Sequence, residues 1–198
     1  MILYYTPGGC SQSVHIAMIE AGLEPQIVRV GRDKRTEDGR DFLTINPTGF
    51  TPALDLGDGT ILTENLAILA YVGERQGGLL LAEGLGRWRA LESTSFMTTE
   101  IHGNFRPFFH LAEAGLEKDR ARANLVRHFA TMAARLGDTA FLGGERMSIA
   151  DPFLFVMLSW AAMFDIEVPA QLGAYFKRMK ALPSVERALI REGPARPA

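Results

Sequence analysis

One cysteine in 198 residues, Cys10, excludes an intrachain disulfide and any cysteine-rich zinc site. Its thiol is therefore either inert or chemical. Neither sign of charge prevails: 21 Lys plus Arg face 23 Asp plus Glu, a formal net charge of −2, which leaves no basic footprint for nucleic acid. No apolar run is long enough to span a bilayer. The longest stretch free of Asp, Glu, Lys and Arg, residues 1–19, holds Pro7, Gly8, Gly9, Gln12 and His15, and the next, residues 152–164, is too short. The start, Met1-Ile-Leu-Tyr-Tyr, lacks the basic opening of a signal peptide, so a cytoplasmic protein is expected. G-x-S-x-G, Walker-type and G-x-G-x-x-G loops are missing from the strand-to-helix junctions, which removes the footing of hydrolase and nucleotide-binding readings. His15, His102, His110 and His128 have no acidic partner at a convincing ligand spacing, so no metal is expected. What is present is 47% hydrophobic residues, enough for one large domain or two small ones with a real core.

The periodicity changes once along the chain. Ile2 to Tyr5 predicts a buried strand, closed by Thr6-Pro7-Gly8-Gly9; after Cys10, Val14, Ala17, Met18 and Ala21 keep helical spacing up to Gly22. Residues 26–30 predict a second strand and the charged residues 31–40 an exposed loop. Asn46-Pro47-Thr48-Gly49 predicts a turn. Residues 53–56 and 60–62, split by Gly57-Asp58-Gly59, predict an antiparallel hairpin, and Thr63 offers an N-cap to a helix through Leu66, Leu69 and Ala70. Four glycines between 77 and 86 mark a linker. Beyond it the pattern is helical only: from Arg87 to about Phe105, where Pro107 predicts a break, from Leu116 to Leu136, and from Ser148, where Ser148 and Asp151 make a capping pair ahead of an almost wholly apolar helix. The expected architecture is an α/β domain over residues 1–77, a linker over 78–86 and an all-α domain over 87–198, with residues 193–198 an extended tail.

Chemistry has few places to sit. Cys10 opens a helix, where backbone amides favour a thiolate. A lone buried cysteine is also commonly inert. Ser13 three residues on gives Cys-x-x-Ser, a spacing with one thiol able to form a mixed disulfide and none to resolve it. Thr51-Pro52 precedes the hairpin; only ~5–6% of such bonds are cis, so base rate favours trans. Thr63-Glu64-Asn65 opens a helix whose free amides suit a carboxylate while Glu64 suits an ammonium, or it is a plain cap. Phe105, Phe108 and Phe109 about Pro107 form either a pocket wall or core.

Taken in order, Leu3-Tyr-Tyr-Thr-Pro-Gly-Gly-Cys-Ser11, His15-Ile-Ala17, Asp41-Phe-Leu43, Ile45-Asn-Pro47, Thr51-Pro-Ala-Leu54, Leu62-Thr-Glu-Asn-Leu-Ala-Ile68, Glu100-Ile-His102, Phe141-Leu-Gly-Gly144 and Ser148-Ile-Ala-Asp-Pro-Phe-Leu-Phe155 resemble the bacterial beta class of glutathione S-transferases over nearly the whole chain. The resemblance implies a thioredoxin-like N-terminal domain that binds glutathione as co-substrate, an all-helical C-terminal domain with a pocket for a small hydrophobic electrophile, and a homodimer. It implies that Cys10 faces the glutathione sulfur, that Pro52 is cis, and that the Thr51 backbone pairs with the cysteinyl backbone. Glu64 and Asn65 then hold the γ-glutamyl end, Lys34 lies near the glycyl carboxylate, His102 approaches the sulfur from the helical domain, and Ser95 faces the neighbouring subunit's glutathione.

The chain departs from the class pattern in the shorter charged loop carrying Lys34, in Phe50 and Thr51 before the proline, and in Asn65, Ser95 and Gly103. Those changes remove at least one cation from the expected glutathione site. Three functions are compatible with this pattern: conjugation of the glutathione thiolate to electrophiles, glutathione-dependent thiol-disulfide exchange or peroxide reduction through Cys10, and sequestration of hydrophobic ligands without turnover.

Overall fold

A computed structural model describes residues 1–75, 78–81, 83–110 and 115–194. The predicted boundary at residue 77 and the end of the tail, 195–198, lie outside the described residues. Strand β1 (Ile2–Tyr5) pairs in parallel with β2 (Gln26–Arg29), which is sterically feasible because helix α1 (Ser11–Glu20) supplies the crossover between them. Strand β3 (Ala53–Asp55) returns antiparallel to β1 and turns through residues 56–60 into β4 (Ile61–Thr63), giving the order β2-β1-β3-β4. This is the thioredoxin-like half. Gly22 sits at φ +74 behind α1, and the Leu23 N–H reaches the Met18 carbonyl at 2.8 Å, so the predicted glycine stop holds.

Helix α2 (Asn65–Arg75) starts later than expected: Thr63 ends β4, and Glu64, at φ +68, accepts the first helical bond from the Ile68 N–H at 3.0 Å. The helical half begins with α3 (Leu85–Phe96), two residues before Arg87. It continues without a break through a π-helical turn (Met97–His102), a 3-10 turn (Gly103–Phe105) and α4 (Arg106–His110). Helix α5 spans Leu116–Leu136, as its periodicity predicts, and α6 (Ala150–Met163) has eleven of its fourteen residues buried, as an all-round apolar helix requires. Its start is fixed by Asp151, whose carboxylate accepts from the Ser148 N–H (2.7 Å), the Ser148 hydroxyl (2.8 Å), the Leu142 N–H (2.8 Å) and the Tyr175 hydroxyl (2.8 Å). Helices α7 (Ala170–Lys180) and α8 (Pro183–Glu192), unanticipated from the sequence, close the bundle.

The two halves share one core. Val14 and Met18 of α1, Leu69 and Val72 of α2, and Phe153 and Met157 of α6 belong to a single buried apolar cluster. No described helix is long and apolar enough to cross a membrane.

Candidate active site

The strand register builds the site. Tyr4 opposes Ala53 and Ala53 opposes Thr63, so extending both ladders by one or two residues brings Thr6, Thr51 and Glu64 to the same end of the sheet. The Thr6 and Thr51 hydroxyls lie 3.0 Å apart there. Between β1 and α1 the chain folds back on itself: the Gly9 N–H donates to Thr6 O at 2.9 Å, and Ser11 Oγ meets both the N–H (3.1 Å) and the carbonyl (3.2 Å) of Thr6. Gly8 has φ +68, and a Cβ on Gly9 would stand 3.0 Å from the Thr6 carbonyl oxygen, so the two glycines are what this close turn needs.

That turn delivers Cys10 to the N-cap of α1, with its sulfur 3.5 Å from Thr51 O. The Thr51-Pro52 bond is cis, against the base rate and as the resemblance implies. Of the two readings of Cys10, the surroundings of the sulfur favour the thiol over the thiolate. The Cys10 and Ser11 amides act on the sulfur in the favourable direction, but burial outweighs them and the Glu64 carboxylate adds to burial, pushing the thiol up to about 12. At neutral pH Cys10 is a thiol, partly open to solvent and placed to donate.

Around this sulfur the predicted residues divide. Lys34, at φ +61, sets its ammonium on Gly49 O at 2.8 Å and 5.8 Å above the Phe50 ring, within two residues of Thr51 despite its shorter loop. Glu64 is exposed beside the buried Asn65. Ser13 Oγ lies 2.7 Å from Cys10 O and 3.1 Å from Asn65 Oδ1, two acceptors for one proton, while Asn65 Nδ2 is buried without a partner. Turning the Asn65 amide round lets it donate to Ser13, and in either orientation one end of that amide has no protein partner. Ser95 is the exception: it is exposed on α3, and nothing in one chain brings it to Cys10.

His102 arrives through an intermediary. Its ring packs 5.3 Å from Trp160 and 6.3 Å from Phe153, and Trp160 Nε1 donates to Gly8 O at 2.8 Å. Burial, helped by nearby Arg106, holds the imidazole below its ordinary pKa, so it is neutral at pH 7. Trp160, with Gly8, Gln12, Met163, Ile190 and Pro194, also lines a mostly apolar groove of about 440 Å³. Phe105 proves to be core, fully buried against Trp160 and Phe129, whereas Phe108 and Phe109 are half-buried around Phe164.

Two of these features escape sequence reasoning. Trp160 reads as one more apolar residue of α6, and only its indole N–H hints at a buried acceptor. The other is the contact of His15 Nδ1 with Glu192 Oε1 at 2.9 Å, joined by Gln12 Nε2 to Glu192 Oε2 at 3.1 Å. It ties α1 to α8, and no local pattern announces a pair 177 residues apart.

The glutathione S-transferase N-terminal domain model matches residues 9–75 and the C-terminal domain model residues 116–188. Glutathione S-transferase GstA of Escherichia coli O157:H7 is 37% identical over 202 residues, covering 98% of this chain and 99% of its own. A sphingomonad glutathione S-transferase complexed with glutathione superposes with a TM-score of 0.91 at 40% identity, covering 98% of this chain and 99% of that one. A bacterial beta class enzyme of Sphingomonas chungbukensis does so with a TM-score of 0.89 at 37% identity and the same coverage. With the thioredoxin-like half, the cis Thr51-Pro52 bond beside Cys10 and full-length likeness to such enzymes, the chain belongs to the glutathione S-transferase family, alongside its bacterial beta class.

Proposed function

We propose that the protein is a glutathione transferase that joins the glutathione sulfur to small apolar electrophiles. The observation that carries this reading is the 3.5 Å approach of Cys10 Sγ to Thr51 O, which makes the start of α1 and the loop before β3 one rim for an extended thiol peptide. Along that rim Thr51 offers its backbone to the cysteinyl unit. Glu64 takes the ligand ammonium, the unpaired end of the Asn65 amide takes part of the γ-glutamyl group, and Lys34 faces the glycyl carboxylate. The electrophile occupies the groove beside Gly8 and Trp160.

In the reaction the glutathione thiol gives up its proton, its sulfur lone pair forms the bond to the electrophilic carbon, and the displaced group leaves with its bonding electrons. Neutral His102 can accept a hydrogen bond or a proton, which an imidazolium could not do. Cys10, protonated, is a donor to the developing glutathione thiolate. Cys10 has no second thiol to release a mixed disulfide internally, which favours conjugation over thiol-disulfide exchange.

The enzyme would act as a homodimer, in which the exposed Phe50 and Trp88, at 73% and 62%, are candidates for burial and the exposed Ser95 could meet a neighbour's ligand. The domains would divide as residues 1–77, a linker over 78–86 and residues 87–198, with the first helix of the second domain reaching back into the linker to Leu85, in a cytoplasmic setting. The test is the initial rate of glutathione conjugation to an activated aryl halide. Cys10→Ala should retain much of the rate and His102→Ala should lose most of it. Loss of conjugation in Cys10→Ala would overturn this assignment and make Cys10 the direct participant.

A further inference from the structure

The helical rod from Leu85 to His110 changes pitch just where His102 leaves it. Helix α3 ends at Phe96, and the π-helical turn over Met97–His102 holds a wider spacing that ends on His102 itself. Each extra residue accommodated by such a turn rotates the downstream helix by about 100° relative to an uninterrupted α-helix, so the π turn decides which face carries the imidazole. Side chains compete for the carbonyls that an α ladder would use. The hydroxyls of Thr94, Thr98 and Thr99 donate to Ala90 O (2.8 Å), Thr94 O (2.9 Å) and Ser95 O (3.3 Å), four residues back in each case.

Asn104 closes the turn from the other side. Its Nδ2 donates to Glu100 O, inside the π turn, at 2.6 Å, and its Oδ1 accepts from Asn124 Nδ2 on α5 at 3.1 Å. Asn124 Oδ1 in turn accepts from Arg127 at 3.1 Å. A carbonyl cannot donate, so the Glu100 contact fixes which way the Asn104 amide faces. Packing does not impose this geometry at the neighbouring position: a Cβ on Gly103 would meet nothing within 4 Å.

We infer that Asn104 is a positioning residue for His102, pinning the π turn to α5 and so holding the imidazole against Trp160. The inference rests on His102 serving conjugation as proposed above. Asn104→Asp keeps the size and the acceptor for Asn124 but removes the donor to Glu100 O. Its kcat for conjugation to an aryl halide should fall about tenfold, short of the roughly hundredfold that a 1 Å misplacement of a reacting group can cost, with KM for glutathione unchanged. In a His102→Ala background the same substitution should cost nothing further. Should Asn104→Asp fail to fold, Asn124→Ala, which frees the other end of the clamp, should show the same kcat loss and the same dependence on His102. A wild-type kcat in the folded variant, or an equal loss with and without His102, overturns the inference. A full rate in His102→Ala alone instead overturns the role of His102.

Discussion

Trp160 donates its indole N–H to the carbonyl of Gly8 at 2.8 Å across 152 residues of chain, so the wall of the apolar groove and the turn that presents Cys10 are one assembly. Trp160→Phe keeps an aromatic wall but leaves a partly buried carbonyl without its donor. We expect a loss of about 1–3 kcal/mol in urea unfolding. The KM for the electrophile should also rise more than that for glutathione, because a smaller ring no longer anchored to Gly8 O reshapes the groove wall while the Thr51 rim is untouched. Equal changes in both would mean that the groove is not where the electrophile binds.

Glutathione should raise the melting temperature, since a ligand held only by the folded state adds about 2.7 kcal/mol at a hundredfold excess over its Kd. Glu64→Ala should abolish most of that shift by removing the carboxylate that meets the ammonium. Differential scanning fluorimetry across glutathione concentrations measures both. An undiminished shift in Glu64→Ala would relocate the γ-glutamyl end.

The Cys10 thiol gives an alkaline signature. Its folded pKa, about 12, exceeds the ordinary value of 9.0, so the folded state holds its proton where the unfolded chain releases it. Stability tied to Cys10 is therefore complete below pH 9 and is lost as the pH rises towards 12. Chemical denaturation from about pH 8 to about pH 11 should show wild type falling more steeply than Cys10→Ala. Parallel profiles would mean that water reaches the sulfur freely. Alkylation of Cys10 by iodoacetamide at neutral pH should be correspondingly slow.

Glu192→Ala should be costly although it lies outside the catalytic rim. It leaves His15, fully buried, and Gln12 without their acceptor, and each buried donor stranded in this way costs about 1–3 kcal/mol. Urea titration of Glu192→Ala, His15→Ala and the double variant should show strong coupling between the two positions. Additive losses would mean that the pair contributes nothing jointly.

Much of this architecture is legible in the sequence because short-range rules decide it. The β1 run, the Gly22 stop, the glycine turn of the hairpin and the 21-residue periodicity of α5 each follow from neighbours in sequence. Cys10, Thr51, Glu64 and His102 are recognisable as a set through ordered motifs, not through any single spacing. Contests between opposing effects are what sequence rules misjudge. The start of α2 reads as a hydroxyl cap at Thr63, yet Thr63 gains more as the ladder partner of Ala53, leaving Glu64 at positive φ to begin the helix. At Cys10 the amides act as the helix terminus predicts, and a larger desolvation reverses the outcome. Trp160 and Glu192 are invisible because their partners, Gly8 and His15, are set by tertiary approach alone.

The His15–Glu192 contact also has a consequence in time. A ribosome adds Glu192 177 residues after His15, roughly 9 to 35 s later at ~5–20 residues per second. Through that interval a nascent α1 carries two polar side chains whose buried acceptor has not yet been made. The β-sheet half is synthesised early, but the contact that ties α1 to α8 can form only once Glu192 has been added. Synthesis order thus leaves the far face of α1, opposite the sheet half's early contacts, without its polar partner until the last helix of the chain is made.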